Sequence, residues 1–315
     1  MNYIILIVGL VLLTFCADML TRGCVAVAAR FRVPEFIVGL TIMAVGTSMP
    51  ELTVSFMSAL KGSSEMAIGN VTGSNLFNTL IILGICALIR PMDITKENIR
   101  RDIPICVGAS ALLWLFTSDT LLGLGAENKI GHLEGVIFLL LYVAVIVYSI
   151  RSSKGEGEEP ADDAPKMGVA KILFFIIVGL GGLIFGGNLC LNSATAIARA
   201  WGVSEAIIAI TIVAAGTSLP ELASSISALV SGKTSLALGN IIGSNVANIL
   251  LILGASASVT PLTMGNITSL DIAMVIGSAV LLLVSALVIG RRKITRLEGV
   301  VYLAAYVAYV IALMK

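Results

Sequence analysis

One stretch of the chain occurs twice, and the two copies are separated by a constant offset of 170 residues. The first copy reads GTSMPE at residues 46–51 and GNVTGSNLFN at residues 69–78. The second reads GTSLPE at residues 216–221 and GNIIGSNVAN at residues 239–248. Because the offset is the same through both parts, the pattern indicates an internal duplication, which restricts the fold to two related halves.

The composition is that of a membrane protein. Hydrophobic residues make up 57% of the chain and charged residues only 12%, with a mean hydropathy of +1.02; a soluble domain carries roughly twice that charged fraction. A net charge of +1 argues against a nucleic-acid partner. Apolar runs of about 20 residues predict ten spans, at residues 3–21, 36–59, 66–89, 103–118, 132–150, 168–190, 206–229, 236–258, 271–289 and 297–314.

Residues 151–166 are the one long polar segment. They predict a linker between a first half, residues 1–150, and a second half, residues 167–315, with five spans in each. Because five is odd, the halves enter the membrane in opposite senses, so we expect an all-α integral membrane protein of ten transmembrane helices in two inverted five-helix repeats. With the N-terminus outside, sixteen of the 20 lysines and arginines fall on the inside. This bias predicts both termini outside the cell inner (plasma) membrane and a cytoplasmic linker.

Two carboxylates lie at equivalent positions in the middle of apolar spans, Glu51 and Glu221. An ionised side chain at that depth costs at least ~2.5–3.5 kcal/mol, so both are functional candidates. No lysine or arginine lies deep in a predicted span, and the counter-charge must therefore be a proton or a bound cation. Asp18, whose counterpart is Asn188, is expected near the inner interface, and its role stays open.

The residues preceding both glutamates favour a metal cation. Pro50 and Pro220 cannot donate to the carbonyl groups of Gly46 and Gly216, so each helix should break there. A carbonyl freed at membrane depth is tolerated only against protein, water or a ligand.

Hydroxyl and amide side chains surround the glutamates in both copies. Thr47 and Thr217 lie one helical turn before them. In the following spans polar residues recur four apart, as Asn70, Ser74 and Asn78 and again as Asn240, Ser244 and Asn248. Such an all-oxygen set suits a hard ion, and Ca²⁺ takes six to eight oxygen ligands. A lone Ser, Thr or Asn in a span usually only hydrogen-bonds to a neighbouring helix, and the glycine pairs at 69/73 and 239/243 also fit close helix packing.

On these residues the sequence resembles the cation/Ca²⁺ exchanger superfamily, and most closely its prokaryotic sodium/calcium antiporter branch. The alpha repeats of that family carry GTS-x-PE and GN-xx-GSN-xx-N patterns, which stand here in both copies. The resemblance implies Glu51 and Glu221 as the central Ca²⁺ ligands. It also implies a group of neighbours that share Ca²⁺ and Na⁺ ligation: Thr47, Ser48, Ser74, Asn78, Thr217, Ser218, Ser244 and Asn248.

One position departs from some relatives. Potassium-dependent members carry an aspartate where this chain has Asn248, so two formal charges remain, which argues against K⁺ co-transport. We expect no cofactor and no obligatory protein partner, with Ca²⁺, Na⁺ and the bilayer as the partners.

The sequence thus predicts a secondary antiporter that exchanges Na⁺ for Ca²⁺, electrogenic if three Na⁺ move per Ca²⁺ as the resemblance suggests. A Ca²⁺/H⁺ exchanger is the first alternative, because the same carboxylates could carry protons. A cation channel with paired glutamates is a second. An enzyme is disfavoured, since the spans hold no histidine or other ligand set for a catalytic zinc.

Overall fold

The computed structural model describes residues 1–123, 127–153, 167–203, 214–289 and 292–313, and these residues are almost entirely helical. The helices are α1 Asn2–Phe31, α2 Glu35–Thr47, α3 Met49–Leu60, α4 Ser64–Ile89, α5 Ile103–Phe116, α6 Asp119–Leu122, α7 His132–Ser152, α8 Val169–Ala200, α9 Ala214–Thr217, α10 Leu219–Val230, α11 Thr234–Val259, α12 Ser269–Val288 and α13 Arg296–Leu313. Four two-residue strands lie between them, β1 Met92–Asp93, β2 Lys129–Ile130, β3 Leu262–Thr263 and β4 Lys293–Ile294.

Within the described ranges, seven helices are long and apolar enough to cross a membrane, and the bent pair α2–α3 makes an eighth if it is one span. Helix α5 also falls on a predicted span, and it continues directly from a π-helical turn at Asn98–Asp102, which carries Arg100, Arg101 and Asp102. Residues 204–213 lie outside the described residues, as do 154–166, so most of the predicted linker and the start of the seventh span lie there too. The chain is a helical membrane protein, and the count of ten spans stays a prediction.

The helix breaks predicted at the two prolines are confirmed. Helix α2 ends at Thr47, α3 begins at Met49, and the two are bent by 49°. Ser218 separates α9 from α10 in the same way, one residue before Leu219. Both serines have turn-like backbone angles, with φ −80° at Ser48 and φ −89° at Ser218. Each repeated motif therefore places a serine at a helix break and a glutamate in the first turn of the next helix.

The described residues group into two compact units. Residues 1–50 with 150–243 form the first unit, and residues 51–149 with 244–315 form the second. Each unit draws on both sequence halves.

In the first unit, α1 and α8 pack side by side along most of their lengths, and they are equivalent in the duplication. A Cβ atom on Gly9 would lie 3.1 Å from the Gly186 carbonyl oxygen, and one on Gly23 would lie 3.3 Å from the Ile176 nitrogen. As the number rises in α1 it falls in α8, so the two helices are antiparallel. Small residues let these backbones approach closely.

Glycines also bring α2 against the first part of α11, residues 234–243, in the first unit. A Cβ atom on Gly39 would lie 3.0 Å from the Asn240 nitrogen, and one on Gly239 would lie 3.1 Å from the Leu40 nitrogen. Gly243 faces the Leu40 backbone in the same way. The packing interpretation is therefore confirmed for Gly239 and Gly243. For Gly69 and Gly73 it stays a prediction, because among the described residues only the Ile267 side chain lies near Gly69, 3.3 Å from its Cβ position, and no atom lies within 4 Å of that of Gly73.

In the second unit, helices of the first sequence half pack against helices of the second half in two equivalent pairs. Gly84 of α4 packs on Gly299 of α13, where a Cβ on Gly84 would lie 3.2 Å from the Gly299 oxygen. The equivalent Gly254 of α11 packs on Gly135 of α7, with a matching distance of 3.1 Å to the Gly135 oxygen. The strands repeat this exchange, because β1 pairs antiparallel with β4 and β2 with β3.

We expect Gly299→Val to destabilise the protein, because a Cβ there would lie 2.8 Å from the Gly84 oxygen and 3.2 Å from the Ala87 Cβ. Overpacking of this kind costs about 1–3 kcal/mol. Gly108→Val is the matched control, since no described atom lies within 4 Å of its Cβ position. The measurement is reversible unfolding in mixed micelles. Equal free energies of unfolding for the two variants would contradict this packing.

Candidate cation-binding site

The Glu221 carboxylate lies in the first unit and is 1% exposed. The hydroxyl of Ser48 donates a hydrogen bond of 2.8 Å to its Oε1 atom. The two residues are 173 apart in sequence, and each comes from a different copy of the repeated motif. Oε2 of Glu221 is also buried, and it accepts no hydrogen bond from the described residues. The helix break at Ser48 thus brings the first motif onto the carboxylate of the second.

Asn240 fixes the backbone around Glu221. Its Nδ2 group donates to the hydroxyls of Ser224, at 3.0 Å, and Ser225, at 2.9 Å, and it lies 3.5 Å from the Glu221 carbonyl oxygen. The Thr47 hydroxyl donates to Oδ1 of Asn240 at 3.4 Å. The amide donor of Asn240 is therefore used in holding the first turns of α10, and Asn240 positions the site rather than completing it.

The Glu51 carboxylate lies in the second unit and is fully buried. The Ser74 hydroxyl lies 3.5 Å from its Oε1 atom, at the long limit for a hydrogen bond. Asn70 donates through Nδ2 to the Glu51 carbonyl oxygen at 3.2 Å and to the Ser55 hydroxyl at 2.9 Å. Asn70 thus makes the contacts around Glu51 that Asn240 makes around Glu221, as the duplication requires.

Further asparagines in the second unit join the two copies directly. Nδ2 of Asn75 donates to the Asn245 carbonyl oxygen at 3.2 Å, and these two residues are equivalents in the duplication. Nδ2 of Asn245 donates to the Thr79 hydroxyl at 2.7 Å, and Nδ2 of Asn248 donates to Oδ1 of Asn75 at 3.0 Å. A residue that touches its own repeat counterpart lies near the pseudo-two-fold axis of this unit. The sequence did not single out Asn75 and Asn245 as functional candidates, because they lie off the four-residue spacing.

Several predicted ligands carry buried polar atoms for which the described residues offer no hydrogen-bond partner. These atoms are Oε2 of Glu221, Oγ1 of Thr217, Oγ of Ser244, Oδ1 of Asn248, and both amide atoms of Asn78. A buried polar atom without a partner costs about 1–3 kcal/mol, so each calls for a ligand, a water or an ion. Among the described residues, other such atoms lie away from the motif, on Ser149, Ser256, Ser285, Glu298 and Tyr302, so these atoms are compatible with the predicted ion ligands but are not confined to them.

The donor chemistry is oxygen-rich and poor in charge. Within the described ranges no three His, Cys, Asp or Glu side chains come together. Hydroxyl, amide and carboxylate oxygens are ligands of hard cations rather than of soft metals. For Gly46 and Gly216, the positions of their missing side chains are filled by Leu180 and Leu191 of α8. A larger residue at either position would collide with α8.

The helix geometry changes at the same places. A π-helical segment covers Phe77–Ile82 within α4, and another covers Asn248–Leu253 within α11. Such wide turns interrupt the usual 3.6-residue repeat and are frequent at functional sites. The first segment begins at Phe77, one residue before Asn78, and the second begins at Asn248. The wide turns therefore determine where the amide groups of Asn78 and Asn248 lie.

Asp18 forms an ion pair with Arg22, with 2.8 Å between the Arg22 Nε and an Asp18 carboxylate oxygen. The Asp18 side chain is 40% exposed and that of Arg22 is 61% exposed. The residues are one turn apart on α1, where such a pair contributes little to stability. No described contact joins Asp18 to the residues around Glu51 or Glu221.

The family model described as sodium/calcium exchanger protein matches residues 1–151 and 171–315. The sodium/calcium exchanger MaX1 of Methanosarcina acetivorans is 30% identical, over 99% of this chain and 98% of the relative. The inner membrane protein YrbG of Escherichia coli is also 30% identical, over 82% of this chain and 79% of the relative.

A solved structure of the sodium-calcium exchanger NCX_Mj, soaked with 10 mM Na⁺ and no Ca²⁺, superimposes with a TM-score of 0.85. The sequences are 29% identical, and the match covers 99% of this chain and 98% of the other. The same exchanger has also been solved after soaking with Ca²⁺ and with Sr²⁺. The chain therefore belongs to the sodium/calcium exchanger family, a family of membrane transporters rather than enzymes.

We expect Ser48→Ala to lower the free energy of unfolding of the ion-free protein by about 1.5–3 kcal/mol, because a hydrogen bond to a buried carboxylate is lost. Ser110→Ala is the matched control. Ser110 is equally buried, but its hydroxyl donates to the Cys106 carbonyl oxygen of its own helix, so a loss of about 1 kcal/mol or less is expected. Unfolding is measured with a chelator and without Na⁺. If the two variants lose the same stability, the Ser48 hydroxyl does not support Glu221.

Proposed function

We propose that this chain is a secondary active antiporter that exchanges Na⁺ for Ca²⁺ across the cell inner membrane by alternating access. The observation that carries the proposal is the 2.8 Å hydrogen bond from Ser48 to the buried carboxylate of Glu221, which joins the two copies of the motif. Its membership in the exchanger family gives independent support. MaX1 is itself named a sodium/calcium exchanger.

The proposed ion ligands are the two carboxylates with their neutral neighbours. Glu51 and Glu221 together neutralise one Ca²⁺, and neutral oxygens complete the six to eight ligands that this ion takes. The neutral set is Thr47, Ser48, Ser74, Asn78, Thr217, Ser218, Ser244 and Asn248, with the carbonyl groups of Gly46 and Gly216. Buried polar atoms on Thr217, Ser244, Asn78 and Asn248, which find no hydrogen-bond partner in the described part of the chain, support this assignment.

Na⁺ would compete for the same and adjacent oxygens. Strict exchange then follows from electrostatics, because an empty site with two uncompensated carboxylates is costly to move across an apolar barrier. Either one Ca²⁺ or several Na⁺ must be bound before the protein reorients. No cofactor and no protein partner enters this scheme.

The proposed topology has ten transmembrane helices in two inverted repeats, with both termini outside. The antiparallel packing of the equivalent helices α1 and α8 supports the inversion, and the lysine and arginine bias supports the orientation. The glycine-rich face between α1 and α8 suits a sliding contact, since backbones with no side chain between them have little to interlock. We propose that this movement exposes the ion ligands alternately to each side.

Glu51→Gln and Glu221→Gln should each abolish Ca²⁺ flux, because the amide keeps the shape of the side chain but removes one of the two charges that neutralise a divalent ion. Glu134→Gln is the matched control, since Glu134 is only partly buried and is not a proposed ligand. The assay is Ca²⁺ uptake into everted vesicles with and without an imposed Na⁺ gradient. Near-normal flux in either ligand variant would show that the pair does not bind Ca²⁺.

Exchange should respond to voltage. With both carboxylates ionised, a Ca²⁺-loaded site is neutral and a site holding three Na⁺ carries one positive charge. Moving one charge through 100 mV is worth about 2.3 kcal/mol, or roughly fifty-fold in an ion gradient. An inside-negative potential should therefore drive Na⁺ entry and Ca²⁺ exit.

The measurement uses vesicles clamped with K⁺ and valinomycin at several potentials while Na⁺-dependent Ca²⁺ flux is followed. A flux that does not change with voltage would overturn electrogenic exchange in favour of two Na⁺ per Ca²⁺. A flux that follows an imposed pH gradient without Na⁺ would overturn Na⁺ coupling and point to proton exchange.

A further inference from the structure

Two arginines lie at the C-terminal end of α4, in the second unit. Nε of Arg296 donates a hydrogen bond of 3.1 Å to the carbonyl oxygen of Leu88, in the last turn of that helix. Arg90 is the residue at which α4 ends, two positions further along the chain. Both side chains are exposed. The bond to Leu88 fixes one guanidinium group in place, and its two terminal NH₂ groups have no partner among the described residues.

The duplication supplies an internal comparison. His132 is the repeat counterpart of Arg296, and Ser258 is the counterpart of Leu88. Nδ1 of His132 lies 3.1 Å from the Ser258 carbonyl oxygen, so the same contact is made at the end of α11. Arg90 has Thr260 as its counterpart. The fold therefore requires a side chain that reaches the last turn of the helix, but it does not require a positive charge there.

Apolar side chains flank both positions alike. Leu297 and Val300 of α13 are exposed beside Arg296, and Ile89 is exposed beside Arg90. Their counterparts in the other repeat, Leu133, Val136 and Val259, are exposed as well. Exposed aliphatic side chains on a membrane helix face acyl chains. The two ends of the second unit thus present similar surfaces to lipid tails and differ in what they present to a headgroup.

The neighbouring strands extend the difference in charge. Beside Arg296, Lys293 of β4 is paired with Asp93 of β1 at 3.0 Å, and Arg292 directly precedes β4. The equivalent β2–β3 pair carries Lys129 and is flanked by Glu127. A positive-inside bias alone would place basic residues at one face. It would not require that one of them be anchored on a helix end above an exposed apolar face.

We propose that Arg296 and Arg90 bind the phosphate of an anionic phospholipid, whose acyl chains lie along Leu297 and Val300. Arginine presents a rigid planar fork of donors that matches phosphate oxygens. Under the orientation proposed above, this end of α4 faces the inner leaflet, where basic clusters beside membrane helices attract anionic headgroups. The apolar flank selects a lipid over free phosphate, because free phosphate gains nothing from it. His132 and Thr260 leave the opposite end without such a site.

The test is to count phosphatidylglycerol molecules retained by the purified full-length protein in native mass spectrometry, with phosphatidylcholine as competitor. Arg296→His with Arg90→Thr copies the opposite end into this one. Each arginine near an anionic headgroup contributes about five-fold, so retention of the bound lipid should fall roughly 25-fold. The reverse pair, His132→Arg with Thr260→Arg, should add a second retained molecule. Lys129→Gln is the control and should change neither count.

Unchanged retention in the Arg296→His, Arg90→Thr variant overturns the proposal. So does displacement of the lipid by an equal concentration of inorganic phosphate, which would make the site one for free phosphate. If the double variant proves unstable, the single variant Arg90→Thr decides, because Arg90 takes no part in the bond to Leu88. Lipid retention by this variant should fall about five-fold. Unchanged retention overturns the proposal. The lipid count is made without Ca²⁺ or Na⁺, so its result does not depend on whether the protein exchanges these ions.

Discussion

The burial of charge in an apolar medium governs this protein. Glu51 and Glu221 are at most 1% exposed, in helices that are otherwise nearly free of ionisable groups. A membrane protein cannot keep such carboxylates by packing alone, since their desolvation must be offset by hydrogen-bond donors and a counter-charge. The Ser48 hydroxyl at a helix break donates to Glu221, the Ser74 hydroxyl lies beside Glu51, and the amides of Asn70 and Asn240 lie against the backbone carbonyl oxygens of the two glutamates.

The duplication explains why one short motif supplies most of the polar groups around the two carboxylates. A single motif supplies a carboxylate, a hydroxyl at a helix break and an amide-bearing helix, and a second copy supplies them again. Because Ser48 of one copy reaches Glu221 of the other, the second motif is not complete by itself. The repeated sequence is thus better regarded as one composite structure, encoded in two places, than as two similar ones.

The sequence predicted the helical membrane architecture, the breaks before Glu51 and Glu221, and the packing role of Gly239 and Gly243, because each depends on local chemistry or on short spacings. It missed the contact of Asn75 with Asn245, since spacing along one helix cannot reveal which residues of distant copies meet. It also missed the π-helical turns at Asn78 and Asn248, because one additional residue per turn barely alters an apolar pattern. The two-residue strands are too short to leave a periodic signal. The assignment of the ion ligands stays a prediction, from the sequence and from the structure alike.

The reciprocal packing of Gly84 on Gly299 and of Gly254 on Gly135 has a consequence for biosynthesis. Translation produces Gly84 more than 200 residues before its partner on α13. Until then, the bare glycine face of α4 lies against lipid, where small residues gain little from contact with mobile chains. Helix α13, which is made long after α4, therefore covers the glycine face of the first half, and this part of the fold forms only after most of the second half has been synthesised.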